Sequence, residues 1–260
     1  MSTAIKKIII IGASSGIGHR IASDFARAGL QIGIAARSEQ KLRHLSEQYP
    51  DNIVYKTIDV TDHDCEKLLY DLIEMRGGMD ILLYASGVGS INPQLDIDTD
   101  IHTVSTNVDG FVRIVNAAYR YFRSTATPNA GQIAVITSLA RTKGIGIAAS
   151  YSSSKRFQST YIDALDQLAH HQHVNVHFTD IRPGFIRTPL LHDNHRFPME
   201  MTLDYAAPLI EKAILQRKRV AVIDSRWRIV AALWGIIPQW IWHRIALEPR
   251  RIPTTQQTKS

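Results

Sequence analysis

Short runs of β-branched and other apolar residues alternate along this chain with segments of helical periodicity. The runs lie at Lys6–Ile11, Gln31–Ala35, Ile53–Ile58, Ile81–Tyr84, Gln132–Thr137, Asn175–Ile181 and Val220–Ile223. Most of them are continuously apolar, which is typical of parallel strands whose sheet is covered on both faces. Helices are predicted at Gly16–Ala28, Glu39–Glu47, Asp64–Met75, Ile101–Phe122, Tyr151–His170 and Leu203–Gln216. The alternation predicts an α/β fold with a doubly wound parallel sheet of about seven strands flanked by helices.

The length of 260 residues suits one large α/β domain. We expect this domain to cover residues 1–225 and to include a substrate lid at 188–202, where two prolines interrupt any regular pattern. Residues 226–248 form a predicted hydrophobic C-terminal extension, and the basic, polar residues 249–260 are expected to be disordered. The lid would be lined by Leu190, Leu191, Phe197, Met199 and Met201, whereas His192 and His195 are expected to be solvated.

Cysteine content and charge restrict the compartment and the partners. The single cysteine, Cys65, excludes an internal disulfide and fits a cytoplasmic protein. The first apolar run, Ile8–Ile11, is too short for a signal peptide, so none is expected. The net charge of +6 favours phosphorylated cofactors, anionic lipid or nucleic acid as partners. No nucleic-acid recognition motif accompanies the basic residues, so nucleic acid is not an expected partner. No metal site is predicted.

A glycine motif follows the first strand and opens the first helix. Glycine lets the backbone turn sharply and approach a pyrophosphate closely, while the helix N-terminus offers free N–H groups. The spacing is Gly-x3-Gly-x-Gly rather than the longer Gly-x-Gly-x-x-Gly fingerprint. A tight turn without a ligand is the alternative, but such a turn does not need three glycines. The motif therefore predicts a Rossmann-like dinucleotide site formed by Gly12, Ser14, Ser15, Gly16, Ile17 and Gly18.

The end of the second strand bears on which nicotinamide nucleotide is bound. Enzymes that use NAD usually end this strand with a carboxylate that binds the ribose 2′-hydroxyl and repels a 2′-phosphate. Here the strand ends with Ala35-Ala36-Arg37-Ser38, without an acid. Arg37 is well placed to pair with a 2′-phosphate through charge-assisted hydrogen bonds, and Ser14 would add a hydroxyl. The sequence therefore predicts a preference for NADP(H) over NAD(H).

Tyr151 and Lys155 open the helix that follows the fifth strand. Positions i and i+4 share one helix face, so the phenol and the ammonium point into the same space. We expect Lys155 to favour the phenolate and to lower the tyrosine pKa from about 10 toward neutrality, which makes Tyr151 a general acid or base. Ser138 comes as the fifth strand ends, at the sheet edge where ligands bind in open α/β folds.

With these residues in this order, the chain resembles the short-chain dehydrogenase/reductase family from about Lys6 to Pro189. The resemblance implies catalytic roles for four residues: Asn107 kinks its helix and holds a proton-relay water, Ser138 orients a carbonyl, Tyr151 is the acid/base, and Lys155 assists it and contacts the nicotinamide ribose. It also implies cofactor contacts from Asp59, Val60, Ser86, Gly87, Pro183, Gly184, Ile186 and Thr188, in addition to Tyr151 and Lys155.

Two positions depart from the family pattern. The residue before the first motif glycine is usually threonine, and it is Ile11 here. The family's Asn-Asn-Ala-Gly is replaced by Tyr84-Ala85-Ser86-Gly87. Both changes concern the stability of the turn and sheet, and we expect Ser86 to supply part of the missing hydrogen bonding.

The resemblance implies reversible, NADPH-dependent reduction of a ketone to a secondary alcohol, with hydride passing directly from the cofactor to the carbonyl carbon. The substrate is expected to be apolar or lipid-like, and the protein a homodimer or homotetramer. The alternatives are an NAD-dependent alcohol dehydrogenase and a cofactor-sensing or scaffold protein of the same fold.

The segment Trp227–Leu247 carries four tryptophans and flanking arginines. Its longest uncharged stretch, Ile229–Trp242, has fourteen residues interrupted by Pro238, whereas a membrane-spanning helix needs about 20. Three interpretations remain open: a contact between subunits, a peripheral membrane contact on the cytoplasmic face, and a flap over the substrate pocket.

Overall fold

The computed structural model describes residues 6–125, 130–188, 195–245 and 250–251. Seven parallel strands form one sheet in the order β3-β2-β1-β4-β5-β6-β8. They are β1 (Lys7–Ile11), β2 (Gln31–Ala36), β3 (Ile53–Thr57), β4 (Ile81–Tyr84), β5 (Gly131–Ile136), β6 (Val176–Arg182) and β8 (Val220–Val222). Strand order reverses at β1, which pairs with β2 on one side and β4 on the other. The doubly wound sheet predicted from the sequence is therefore confirmed, and its switch point lies beside the glycine motif.

Helices cover both faces of the sheet. They are α1 (Gly16–Arg27), α2 (Glu39–Gln48), α3 (Cys65–Arg76), α4 (Ile97–Val104), α5 (Gly110–Ser124), α6 (Ala149–His171), α7 (Leu203–Leu215), α8 (Ser225–Ile236) and α9 (Gln239–Trp242). Strand β1 shows why its sequence is continuously apolar: Ile8 and Ile10 belong to one buried cluster, and Ile9 and Ile11 to the cluster on the opposite face. Both faces of the central strands are buried, as expected for a parallel sheet.

The single helix predicted at Ile101–Phe122 begins earlier and is not regular. Helix α4 continues into a π-helical turn, Ser105–Asp109, before α5 begins. Gly110 brings this part of the helix close to the sheet, because an added Cβ there would lie 2.6 Å from Val60 Cγ2. π-Helical turns are frequent at functional sites, and this one contains Asn107.

The C-terminal half of the predicted lid is folded onto the loop that follows β6. The amide of Arg187 donates to the Met201 carbonyl (2.9 Å), and the amide of Met201 donates to the Phe185 carbonyl (2.8 Å). Met201, predicted to line the lid, is buried in the core. Leu190, Leu191 and His192 lie outside the described residues.

Two residues of the tail that was expected to be disordered form a strand. Strand β9 (Arg250–Arg251) pairs antiparallel with β7 (His195–Arg196). The prediction of disorder is wrong at these two positions, because backbone pairing with the lid orders them. Residues 249 and 252–260 lie outside the described residues, and disorder there stays a prediction.

The segment after β8 forms helices α8 and α9, which are anchored by two buried tryptophans. The Trp227 ring lies against Phe185, with ring centroids 5.6 Å apart, and its Nε1 donates to the Met199 carbonyl (3.3 Å). The Trp242 Nε1 donates to the Gly144 carbonyl (2.7 Å). In the described part of the chain, no helix has the length and apolar character needed to cross a membrane.

Candidate active site

The glycine motif forms a backbone cradle at the N-terminus of α1. Gly12 has φ +91°, and an added Cβ would lie 2.5 Å from the Ser86 amide nitrogen. A Cβ at Gly18 would overlap the Gly12 carbonyl. Ser15, in extended conformation, precedes the helix without capping it, and the first turn of α1 contains no acidic residue. Free amides and the positive end of the helix dipole thus face the turn, so the cradle fits a pyrophosphate.

The predicted nucleotide residues lie together along the carboxyl edge of the sheet. Thr188, distant in sequence, comes next to the glycine turn, because a Cβ added at Gly16 would lie 3.5 Å from Thr188 Cβ. The turn containing Ser14 is held against β2, since the Gly12 and Ala13 amides both donate to the Ala35 carbonyl (2.8 and 3.2 Å), and Ile17 follows in the first turn of α1.

Arg37 is exposed where β2 ends. Within the described ranges its guanidinium has no hydrogen-bond or ion-pair partner. Asp59, after β3, is engaged locally, because its Oδ1 accepts from the Thr61 amide (3.0 Å) and hydroxyl (2.8 Å). Val60 is buried. The guanidinium of Arg37 is therefore available to a ligand, whereas one oxygen of Asp59 stabilises its own turn.

The loops after β4 and β6 connect the glycine cradle to the predicted catalytic residues. A Cβ at Gly87 would lie 3.3 Å from both Asn107 Oδ1 and Lys155 Nζ. The Pro183 carbonyl accepts from the Leu139 amide (3.0 Å), next to Ser138. Ile186, the next predicted contact in this loop, is buried. Its side chain therefore supports the loop from the core.

Gly184 in the same loop leaves room for the Trp227 indole of the C-terminal segment. A Cβ at position 184 would overlap that ring. The contact of Trp227 with this loop was not predicted, because it joins two segments that are distant in the sequence.

Tyr151 and Lys155 lie on the first turns of α6, as the i, i+4 spacing predicts. The Lys155 Nζ is 5.9 Å from the centroid of the Tyr151 ring. Gly89 packs on that ring, since an added Cβ would lie 2.9 Å from Tyr151 Cδ2. Ser138 caps the short helix that follows β5, and its Oγ accepts from the Ala140 amide (3.1 Å).

The pKa of Tyr151 differs from the sequence-based expectation. Burial raises this pKa above the ordinary value for tyrosine, and a side-chain hydrogen bond with Ser138 opposes the shift. The expected lowering by Lys155 is therefore wrong for the protein on its own. The physical reason is desolvation of the phenol, which disfavours the charged form.

Burial lowers the pKa of Lys155 to about 8, and the nearby Asp180 carboxylate opposes this shift. The Lys155 ammonium donates to the Ile136 carbonyl (3.0 Å) and to Gln158 Oε1 (3.0 Å). An ammonium that releases its proton this easily depends strongly on the charges and hydrogen bonds around it.

Asn107 is completely buried and holds the loop after β4 through its side chain. Its Nδ2 donates to the Val88 carbonyl (2.7 Å) and its Oδ1 accepts from the Val88 amide (2.9 Å). Asn107 was predicted to hold a proton-relay water, and its backbone carbonyl accepts from Gln158 Nε2 (2.9 Å). A single amide side chain thus links the Asn107 carbonyl to Lys155.

Sequence reasoning missed two buried polar residues. Gln158 lies three positions after Lys155 on the buried face of α6, and that spacing was the available signal. Asp180 is the acidic residue of strand β6, and its carboxylate accepts from Thr137 Oγ1 (2.5 Å), Arg182 Nε (2.8 Å) and the Ser159 hydroxyl. A buried carboxylate is retained in a core only when such partners satisfy it.

Across the described residues, no group of three or more His, Cys, Asp or Glu side chains could hold a metal ion. The arrangement is a glycine cradle at a helix N-terminus, with a serine, a tyrosine and a lysine at the adjacent sheet edge. These residues fit a nicotinamide dinucleotide and a substrate oxygen beside it.

The family model described as "short chain dehydrogenase" matches residues 6–198. The chain belongs to this family. It is therefore an NAD(P)-dependent oxidoreductase, and its substrate is a small molecule. Members of the family are often oligomeric.

Two curated relatives illustrate the range of this similarity. The chain is 30% identical over 232 residues to a sepiapterin reductase from Chlorobaculum tepidum, covering 83% of this chain and 92% of the relative. It is 31% identical over 199 residues to a "dehydrogenase/reductase SDR family protein 7-like" from Dictyostelium discoideum, covering 73% of this chain. The match spans only 61% of that longer relative.

The fold is also that of a solved structure. The crystal structure of 3-ketoacyl-(acyl-carrier-protein) reductase from Brucella melitensis complexed with NADH superimposes with a TM-score of 0.74 at 20% sequence identity. The alignment covers 85% of this chain and 98% of that chain. At this identity the similarity concerns the fold alone.

Proposed function

We propose that the protein reduces a ketone to a secondary alcohol with NADPH, and that Tyr151 delivers the proton. The observation that supports this most strongly is the position of Ser138, Tyr151 and Lys155 at the sheet edge. The loop after β4 links them to the glycine cradle. Gly87 and Gly89 of this loop approach Lys155 and Tyr151, and the Ser86 backbone packs on Gly12.

The preference for NADPH is proposed from the end of β2. Arg37 is exposed there, and within the described ranges its guanidinium has no partner. Ala35 and Ala36 occupy the positions where a carboxylate would repel a 2′-phosphate. A guanidinium binds a phosphate through paired, charge-assisted hydrogen bonds, so Arg37 would favour the phosphorylated nucleotide.

In the proposed mechanism the bound nicotinamide supplies the hydride. Ser138 and Tyr151 donate hydrogen bonds to the carbonyl oxygen, so that negative charge developing on that oxygen is stabilised. Tyr151 then transfers its phenolic proton to the oxygen. The raised pKa of the buried phenol keeps this proton in place until the oxygen becomes basic. Lys155 stabilises the phenolate that remains.

Gln158 is proposed as a positioning residue for Lys155. Its Oε1 accepts from the ammonium and its Nε2 donates to the Asn107 carbonyl, which fixes the direction of both groups. Because an amide side chain does not exchange its protons readily at neutral pH, Gln158 would orient Lys155 rather than carry protons away from it. A water on the second lone pair of the Asn107 carbonyl would remain the proton route.

The substrate is proposed to be apolar. Gly89 leaves the Tyr151 ring uncovered by any side chain at that position, and the loop beyond β6 carries stacked aromatic rings. Phe185 and Phe197 lie with ring centroids 4.5 Å apart, and Phe185 also contacts Trp227. Sites for apolar ligands are lined mainly by apolar and aromatic side chains, and we propose that this loop supplies such contacts to the substrate.

A homo-oligomer is proposed from the surface of α4. Leu95, Ile97, Ile101 and Val104 are each between 42% and 66% exposed and lie on or next to this helix. A cluster of this kind on a monomer surface is typical of a contact with another protein subunit.

The test of the proposed cofactor is titration of the protein with NADPH and NADH, followed by nicotinamide fluorescence, in wild type and in Arg37→Asp. We expect wild type to bind NADPH at least tenfold more tightly than NADH, and Arg37→Asp to reverse that order. Arg43→Asp, a change of the same type on the exposed face of α2, is the control. Equal affinities for the two nucleotides in wild type would contradict the NADPH assignment.

A further inference from the structure

Helices α8 and α9 present large apolar side chains to solvent. Ile229, Leu233 and Ile236 lie on one face of α8 at i, i+4 and i+7, and are 65%, 56% and 76% exposed. Trp240 on α9 is 64% exposed, and Ile245 after it is 43% exposed. We refer to these five residues as the C-terminal apolar face. Large apolar residues exposed together on one short segment are a sign of an interaction site rather than of an ordinary monomer surface.

The arginines of helix α8 and of the residues up to Ile245 are not accompanied by any acidic residue of the same segment. From Ser225 to Ile245 the sequence contains no aspartate or glutamate. Arg228 and Arg244 are exposed beside the apolar residues. Arg244 folds over Trp240, with its guanidinium carbon 5.8 Å from the ring centroid and its Nη1 donating to the Trp240 carbonyl (2.9 Å). A tryptophan with an arginine lying along it suits the level of lipid headgroups.

We propose that the C-terminal apolar face docks on an anionic lipid surface, with the apolar residues in the outer acyl region and the arginines at the phosphates. Two short helices that lie on a membrane require no spanning segment. Each cationic side chain near an anionic bilayer adds favourable electrostatic energy, whereas acidic residues would oppose it.

A second copy of the chain is the less favourable occupant. A two-fold contact through this face would bring the same surface patch together from both subunits. Arg228 and Arg244 of both subunits would then lie in one interface, and no carboxylate between Ser225 and Ile245 is available to neutralise them.

The proposed docking would bring the active-site entrance close to the lipid. Lys143 Nζ donates to the Ile237 carbonyl (2.8 Å) and Trp242 Nε1 to the Gly144 carbonyl, so the helices are fixed to the loop between Ser138 and Tyr151. Resting on the proposed ketone reduction, this geometry would allow a lipid-like ketone to enter from the membrane.

The experiment is sedimentation of the full chain with vesicles of phosphatidylcholine alone or mixed with phosphatidylglycerol. The double variant Leu233→Glu/Ile236→Glu places two acids in the C-terminal apolar face. Met75→Glu/Leu215→Glu, at exposed apolar positions on α3 and α7, adds the same charge elsewhere and is the matched control. We expect wild type and this control to bind the anionic vesicles, and Leu233→Glu/Ile236→Glu to bind at least tenfold more weakly. Binding should weaken between about 0.1 M and about 0.5 M salt.

A milder variant guards against loss of folding in the double variant. Trp240 is the most exposed of the four tryptophans, whereas Trp234 is half-buried and Trp227 and Trp242 are buried. Anionic vesicles should therefore shift tryptophan emission to shorter wavelength in wild type and much less in Trp240→Phe.

Two results would overturn the proposal: failure of wild type to bind anionic vesicles, or unchanged binding by the double variant. Dissociation of a soluble oligomer by the double variant, without lipid binding by wild type, would assign the face to a second copy instead. NADPH binding and reduction of a water-soluble diketone, both measured without lipid, test the proposed reduction separately.

Discussion

Lys155 makes the stability of the cofactor-free protein depend on pH in a direction that can be measured. Its pKa is about 8 in the fold against 10.5 as the ordinary value. Between about pH 8 and pH 10.5 the unfolded chain therefore binds more protons at Lys155 than the folded protein does. The free energy of unfolding consequently rises with pH across this range. The full difference in pKa corresponds to about 3 kcal/mol in the free energy of unfolding, and roughly 2 kcal/mol of it is gained between pH 7 and pH 9.5.

The assay is urea unfolding at a series of pH values in wild type and Lys155→Met. Tyrosines with raised pKa, such as Tyr84 and Tyr119, reduce stability at higher pH, but they contribute equally to both proteins and cancel in the difference. The wild type should gain roughly 2 kcal/mol relative to the variant from pH 7 to pH 9.5. Lys41→Met removes an exposed ammonium and controls for the loss of charge. Parallel curves for wild type and Lys155→Met would refute the assigned burial of the ammonium.

Three further outcomes follow from the site. Tyr151→Phe should lower kcat for ketone reduction by at least about 100-fold while leaving NADPH affinity within about threefold, as measured by steady-state kinetics and fluorescence titration, because only proton donation is lost; unchanged kcat would contradict the acid role. Gln158→Leu removes a hydrogen-bond acceptor of the Lys155 ammonium and should lower the pKa of Lys155, whereas Gln158→Glu places a carboxylate there and should raise it. The pH profiles of kcat should therefore shift in opposite directions, and identical profiles in all three proteins would show a purely structural role. Asp180→Asn should reduce the free energy of unfolding by about 3 kcal/mol in urea, because Arg182 loses its buried partner; a change below about 0.5 kcal/mol would contradict this.

The sheet was predictable because strand burial appears directly in the sequence. Ile8–Ile11 is apolar without alternation since both faces of β1 are covered, and every strand of the main sheet begins and ends within two residues of its predicted bounds. The cofactor cradle followed from Gly12 and Gly18, where a side chain would overlap neighbouring backbone. Strand burial and the glycine motif are both visible in short stretches of sequence, and they could therefore be predicted.

Other features depend on contacts between distant segments. The π-helical turn at Asn107 arises where the helix approaches Val60, which no helical periodicity reveals. Pairing of Arg250–Arg251 with His195–Arg196 joins two segments that look irregular when read separately. The pKa of Tyr151 depends on how deeply the phenol is buried, whereas the sequence shows only that Lys155 is nearby.

The contact between Trp227 and Gly184 joins the nucleotide loop to the first turn of α8. If lipid docking alters the position of this indole, the affinity for NADPH changes by some factor. Thermodynamic reciprocity then requires that NADPH change the affinity for lipid by the same factor. One tryptophan beyond the matched family region would in that way let the concentration of NADPH influence how much of the protein is bound to lipid.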